Sequence, residues 1–88
     1  MVEGAAMSIS EAISLRIVGL CKENNITVNR LAEICELRQS TISNIVNGNS
    51  KNPTIISIKK ICAGLGISIS SFFNHPLFEE ENKEESIK

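Results

Sequence analysis

Between residues 39 and 47 the chain places Gln39, Ser40, Thr41, Ser43, Asn44 and Asn47, six short amide and hydroxyl side chains in nine positions. Their chemistry is hydrogen bonding. An amide can donate to N7 and accept from N6 of one adenine at once, and a hydroxyl can meet several base or phosphate groups. A helical repeat puts Ile42, Ile45 and Val46 on the opposite side of the same segment, so the polar groups share one outward face. A merely solvated helix is normally covered with Glu and Lys, which favour the helix and pair at i,i+4. Ser, Thr and Asn are poorer helix formers. The face therefore reads as one that contacts nucleic-acid bases, with a plain polar surface as the alternative.

Other chemistries find little to work with. His75 is the single histidine and has no evident triad partner, and neither a glycine-rich phosphate loop nor a carboxylate pair in a credible cleft stands out, so no enzyme is expected. Cys21, Cys35 and Cys62 are widely spaced, form no C-x-x-C, and have only His75 as a fourth candidate. Structural zinc sites use paired ligands at short spacing, so neither metal nor cofactor is expected. Each cysteine falls on an apolar helix face, where a free thiol packs as a small hydrophobe. Reduced thiols point to the cytoplasm. No apolar run approaches the roughly 18 residues that span a bilayer, and the N-terminus has no signal-peptide pattern, so a soluble protein off the membrane is expected.

With 88 residues there is room for one domain, whose core must be simple. Aliphatic residues dominate it, and the aromatics are Phe72, Phe73 and Phe78. The net charge of -1 hides a division: residues 1–78 hold seven basic against five acidic side chains, and residues 79–88 hold two against five. The acidity lies in the tail, and a charge run of this kind is expected to be solvated. The expected organisation is an N-terminal extension over residues 1–7, a folded domain over 8–75 and an acidic tail over 76–88. Met7 is an alternative functional start.

The elements that must position the polar face follow from caps and periodicity. Ser8-Ile9-Ser10-Glu11 is a capping box, and Ile13, Ile17, Leu20 and Cys21 then mark one face of a first helix ended by Asn24-Asn25. Thr27 caps a short second helix with Leu31, Ala32 and Cys35 inward. The third helix runs from Gln39 to Asn47, with Gly48 as a left-handed stop. After a loop over 49–53, Thr54 caps a fourth helix with Ile55, Ile58, Ile61, Cys62 and Leu65 on one face, closed by Gly66. Ser68 caps a fifth helix from Ile69 to Asn74, stopped by Pro76. Phe72, Phe73, Leu77 and Phe78 either cover the bottom of the core or form an interface. No segment shows convincing alternation of period two, so the class is all-α with five helices. Helices two and three, joined by a tight turn and with a polar outer face on the second, form a helix-turn-helix.

Leu31-Ala32-Glu33, Ser40-Thr41-Ile42-Ser43, Asn47-Gly48, Asn52-Pro53 and Leu65-Gly66-Ile67-Ser68 resemble the phage repressor and Cro type of helix-turn-helix regulator, the XRE family, over Ile13 to Phe73. The resemblance implies a lambda-repressor-like DNA-binding domain. By it, Gln39, Ser40 and Asn44 match the main base-contacting positions, with Thr41 and Ser43 close by. Phosphates would be held by Thr27, Val28 and Asn29 at the start of helix two and by Asn47, Lys51 and Asn52 after helix three. Arg38, just before helix three, could touch phosphate or base. Three departures stand out. Val28 replaces a common Gln that braces the recognition helix, and Glu36 replaces a Gly or similarly permissive residue in the turn. Cys21 and Val46 stand where an Arg and a Glu usually form a buried ion pair. Exchanging both partners for apolar groups can be neutral or stabilising, so this departure is compatible with the fold.

The resulting expectation is a sequence-specific transcriptional regulator, a repressor, that inserts helix three into the major groove of double-stranded DNA. One such helix reads only a few base pairs, so a homodimer on a pseudo-palindromic operator is expected. The alternative is an antitoxin or protein-interaction module of the same fold, with a protein partner and DNA binding secondary or lost; the modest basic charge keeps it open.

Overall fold

Ser8 Oγ accepts from the Glu11 amide at 3.1 Å while the Glu11 carboxylate accepts from the Ser8 amide at 3.0 Å, closing the expected capping box. It opens α1, Ile9–Glu23. The structure is a computed structural model, and it describes residues 8–48 and 53–79. Four further helices follow: α2 Val28–Cys35, α3 Gln39–Val46, α4 Ile55–Leu65 and α5 Ile69–Phe73. Thr27, Thr54 and Ser68 each accept from the amide three residues on, so every expected cap is in use. No strand occurs among the described residues. None of these helices is long and apolar enough to cross a membrane.

One termination device recurs three times. At the end of α1, α2 and α4, Asn25, Glu36 and Gly66 take the left-handed conformation, with φ of 55°, 58° and 74°. The next amide then reaches back five residues: Ile26 to Cys21, Leu37 to Ala32 and Ile67 to Cys62, each at 3.0 Å. This is the Schellman closure, which satisfies carbonyls the helix end leaves open. Gly66 adopts it without steric cost, whereas Glu36 must place a Cβ where L residues crowd their own carbonyl.

The core is one apolar cluster of Ile13, Ile17, Leu20, Leu31, Ile42, Ile45, Ile58, Ile61 and Phe72 with the three cysteines. It draws on every helix. Among the described residues the buried set contains no polar or charged side chain. That agrees with the apolar exchange at Cys21, which is buried, and Val46, which packs against the same cluster half-buried. α2 crosses α4 closely: a Cβ on Gly64 would lie 2.7 Å from Cys35 Sγ.

One expectation needs correction. Ile55 does not join the inner face of α4 but is 62% exposed. It is the first residue of the helix, and because helix side chains tilt toward the N-terminus, it projects beyond the packed part of α4. Pro76 stands just past the end of α5, as expected. It opens a 3-10 turn, Pro76–Phe78, suited by a fixed φ and a missing amide to a first helical position. His75 Nδ1 caps that turn by accepting from the Leu77 amide at 3.1 Å. The turn has an apolar reason: the Phe78 ring sits 4.9 Å from Phe73 and 6.1 Å from Phe72, covering the bottom of the core. The rest of the expected acidic tail, like residues 1–7, lies outside the described residues.

Candidate nucleic-acid interface

α3 is held from two sides. Its apolar face, Ile42 and Ile45, is buried against the core. Its far end is fixed by Ser14 on α1, whose hydroxyl donates to the Val46 carbonyl at 2.5 Å. That satisfies one of the carbonyls a helix C-terminus leaves free. Between α2 and α3 only Glu36, Leu37 and Arg38 intervene, and the closure at Glu36 turns the chain sharply. The two helices are therefore joined at a tight turn, and among the described residues the polar side chains on the outer face of α3 stay exposed.

On that face Gln39, Ser40, Asn44 and Asn47 are exposed, and Thr41 and Ser43 are half-buried at its margins. The side chains expected to meet bases thus share one surface. Arg38 is exposed at the N-cap of α3 and contributes no side-chain cap, so the opening turn of α3 joins a guanidinium to the positive end of the helix dipole. Asn47 is the C-cap rather than the last helical residue, one position short of the expected boundary.

The start of α2 divides differently from the expectation. Thr27 and Asn29 are exposed, but Thr27 Oγ1 accepts from the Arg30 amide at 3.0 Å in its capping role. Val28 packs half-buried against the core, which leaves its main-chain amide as the group a phosphate could use. Lys51 and Asn52 lie outside the described residues.

One relationship was not readable in the sequence. Gln39 Nε2 donates to Asn29 Oδ1, joining the first residue of α3 to the start of α2. The bond uses one of the two Nε2 hydrogens, and the Gln39 amide keeps a second hydrogen and Oε1 as further bonding groups. The bracing expected to be lost with Val28 is supplied one residue later by Asn29. A polar residue next to the cap of α2 is the only signal, and its partner ten positions away is set by the turn.

Two short helices at a tight turn, the second docked by its apolar face and polar outside, define a helix-turn-helix of the lambda-repressor-like kind, built to lay one helix in a DNA groove. The helix-turn-helix family model HTH_3 matches residues 20–72, and the chain belongs to that family, one of DNA-binding regulators. A solved structure described as the crystal structure of the prophage Lp1 protein 11 is 39% identical, with a TM-score of 0.75, and the match covers 85% of this chain and 100% of that one. These similarities are those of a phage-type XRE regulator. No curated protein matches the chain.

Proposed function

We propose that the protein is a sequence-specific transcriptional repressor, cytoplasmic and without catalytic activity, that binds its operator as a homodimer. Gln39, Ser40 and Asn44 read base edges, with Thr41 and Ser43 alongside. Thr27, the Val28 amide, Asn29, Asn47, Lys51 and Asn52 hold phosphates, and Arg38 contacts phosphate or base at the mouth of the groove. Phosphate contacts fix the register and base contacts carry the sequence information. Repression follows from occupying a promoter.

The observation that carries this reading is the outer face of α3, where Gln39, Ser40, Asn44 and Asn47 are exposed on a helix docked to the core by Ile42 and Ile45. Short amide and hydroxyl groups there suit base edges better than they suit a helix that merely faces water. Selection of bound duplexes from a random DNA pool at fixed salt tests it. Enrichment of two related half-sites, with centres about 10 base pairs apart, is the expected result. Binding with no preferred sequence at any salt would refute it and favour a protein-interaction module.

A further inference from the structure

The Val46 carbonyl is the last that α3 presents, and a helix leaves its final carbonyls without partners of its own. The main chain closes two of them, the Asn47 amide bonding Ser43 at 2.8 Å and the Gly48 amide bonding Ile45 at 3.2 Å. Val46 is met from another helix. Ser14 on α1, 32 residues earlier, donates its hydroxyl to that carbonyl at 2.5 Å. A serine inside a helix ordinarily turns to a carbonyl of its own preceding turn or to water. Crossing to α3 instead makes a polar tie between two helices that share the apolar cluster through Ile13, Ile17, Ile42 and Ile45. Apolar contact is non-directional, so it specifies the position of α3 along its axis less sharply than a hydrogen bond to one carbonyl does.

We propose that Ser14 is a positioning residue for DNA binding: its hydroxyl sets where the chain leaves α3, and with it the phosphate contacts of Asn47, Lys51 and Asn52. The proposal rests on the reading of α3 as the DNA-contacting helix. Asn47 follows Val46 directly, is exposed, and is the C-cap of the helix. A shift of the Val46 carbonyl therefore moves Asn47 and the start of the loop after it, whereas Gln39 at the other end of α3 keeps its own tie to Asn29. The two ends of α3 are held by separate bonds, each to a different helix.

Exposure separates this role from plain stability. Ser14 and Val46 are half-buried and line an open groove of about 500 Å³ with Glu11, Leu15, Asn47 and Gly48. Water entering that groove takes over the carbonyl when the hydroxyl is removed, so the fold loses little. Alanine also favours a helix more than serine does. The position of the α3 end does not recover, because a water molecule is anchored to nothing on α1. An end that is correctly placed for only part of the time weakens affinity by that fraction.

The experiment uses the full chain as wild type, Ser14→Ala, Ser14→Thr and Ser14→Val, the last two differing only in hydroxyl against methyl. Melting temperature reads the fold, and binding is measured on a duplex selected as above and on an unrelated one. Ser14→Ala and Ser14→Val lose about fivefold on both duplexes, with the preferred sequence unchanged, while Ser14→Thr keeps wild-type affinity. The melting temperature of Ser14→Ala stays close to that of the wild type. In double-mutant cycles on the selected duplex, Ser14→Ala couples to Asn47→Ala and is additive with Gln39→Ala. In the free chain, amide hydrogen exchange at Asn47 and Gly48 rises about tenfold in Ser14→Ala, with α1 unchanged. Wild-type affinity in Ser14→Ala overturns the proposal, as does a loss that follows a fall in melting temperature through the variants, or one confined to the selected duplex. If the wild-type chain binds no DNA, the reading of α3 fails instead. Exchange then decides the positioning alone: a rise confined to Asn47 and Gly48 upholds it, and unchanged exchange overturns it.

Discussion

Arg16 on α1 donates from Nε to the main-chain carbonyl of Phe72 at 2.8 Å, while a terminal nitrogen of the same guanidinium donates to the Ser71 carbonyl at 3.0 Å. Its central carbon lies 5.9 Å from the centre of the Phe72 ring. One side chain thus closes the end of α5 and holds the first helix to the last. Arg16→Met keeps the stem and removes the donors, and should lower stability by about 1–2 kcal/mol, the fork being only partly shielded from water. Arg16→Lys should regain less than half, because an ammonium does not reproduce the planar fork. Urea unfolding of the three proteins makes the comparison, and equal midpoints for wild type and Met would show that the latch contributes nothing.

At the interface, Gln39→Ala and Asn44→Ala should each weaken operator binding by about 1–3 kcal/mol and leave non-specific binding nearly intact. Lys51→Ala should weaken every sequence alike and lower the salt slope by about one unit. Asn29→Ala should do both in part, since Asn29 is exposed near the start of α2 and bonds the Gln39 amide. In a double-mutant cycle on operator DNA, Asn29 and Gln39 should therefore couple strongly. Additive losses would mean that the bond between them does not orient Gln39 for reading.

Glu36 sits at φ 58° and ψ 40° at the end of α2. A non-glycine residue there costs roughly 1–2 kcal/mol. Glu36→Gly relieves the clash while making the unfolded chain freer, so a net gain of up to about 1 kcal/mol is expected, a melting temperature higher by roughly 4–8 °C at most. Asn25→Gly should gain less, because Asn tolerates this conformation better than Glu. A lower melting temperature for Glu36→Gly would point to a contact of the carboxylate that outweighs the strain.

Gly64→Ala should destabilise in spite of alanine's better helix propensity. The added methyl would stand 2.7 Å from Cys35 Sγ and 3.0 Å from Ile34 Cγ2, so α2 and α4 must separate or the thiol must shift. Overpacking of this kind costs about 1–3 kcal/mol, against roughly 1 kcal/mol from propensity. Adding Cys35→Ala should make room and restore much of the loss. Stability equal to or above wild type for Gly64→Ala alone would show that the crossing yields easily.

Ser8, Thr27, Thr54 and Ser68 were legible as caps because a cap is a bond between residues three apart in sequence. Leu31, Ala32 and Cys35 were legible as the inner face of α2 because helical periodicity alone separates inside from outside there. The misses lie where sequence neighbours do not decide. Ile55 has the correct period for the core but stands past the point where α4 meets anything. For Phe78 the sequence left two places open, the bottom of the core or an interface, and its contacts with Phe72 and Phe73 decide for the core. Nothing in the sequence singles out Gly64, whose missing side chain leaves the space that Cys35 fills from α2. The polar face of α3 was legible, and the bond that orients its first residue was not, because Asn29 and Gln39 meet only across the turn.

Burial of the three cysteines on α1, α2 and α4 gives the molecule a built-in clock. All are free and buried, and burial pushes each thiol's pKa up, most at Cys35, where it and the neighbouring Cys21 and Cys62 carry the value to about 11. Near neutral pH an alkylating reagent meets neither a thiolate nor a path to one. The thiols should therefore be consumed in molecules that have opened, so that their disappearance would count openings, with α1, α2 and α4 followed separately through Cys21, Cys35 and Cys62. Any ligand that grips the closed form slows all three together, by a factor fixed by its concentration and affinity. Operator occupancy could thus be timed on the unmodified chain, with no label attached to the surface that meets the DNA.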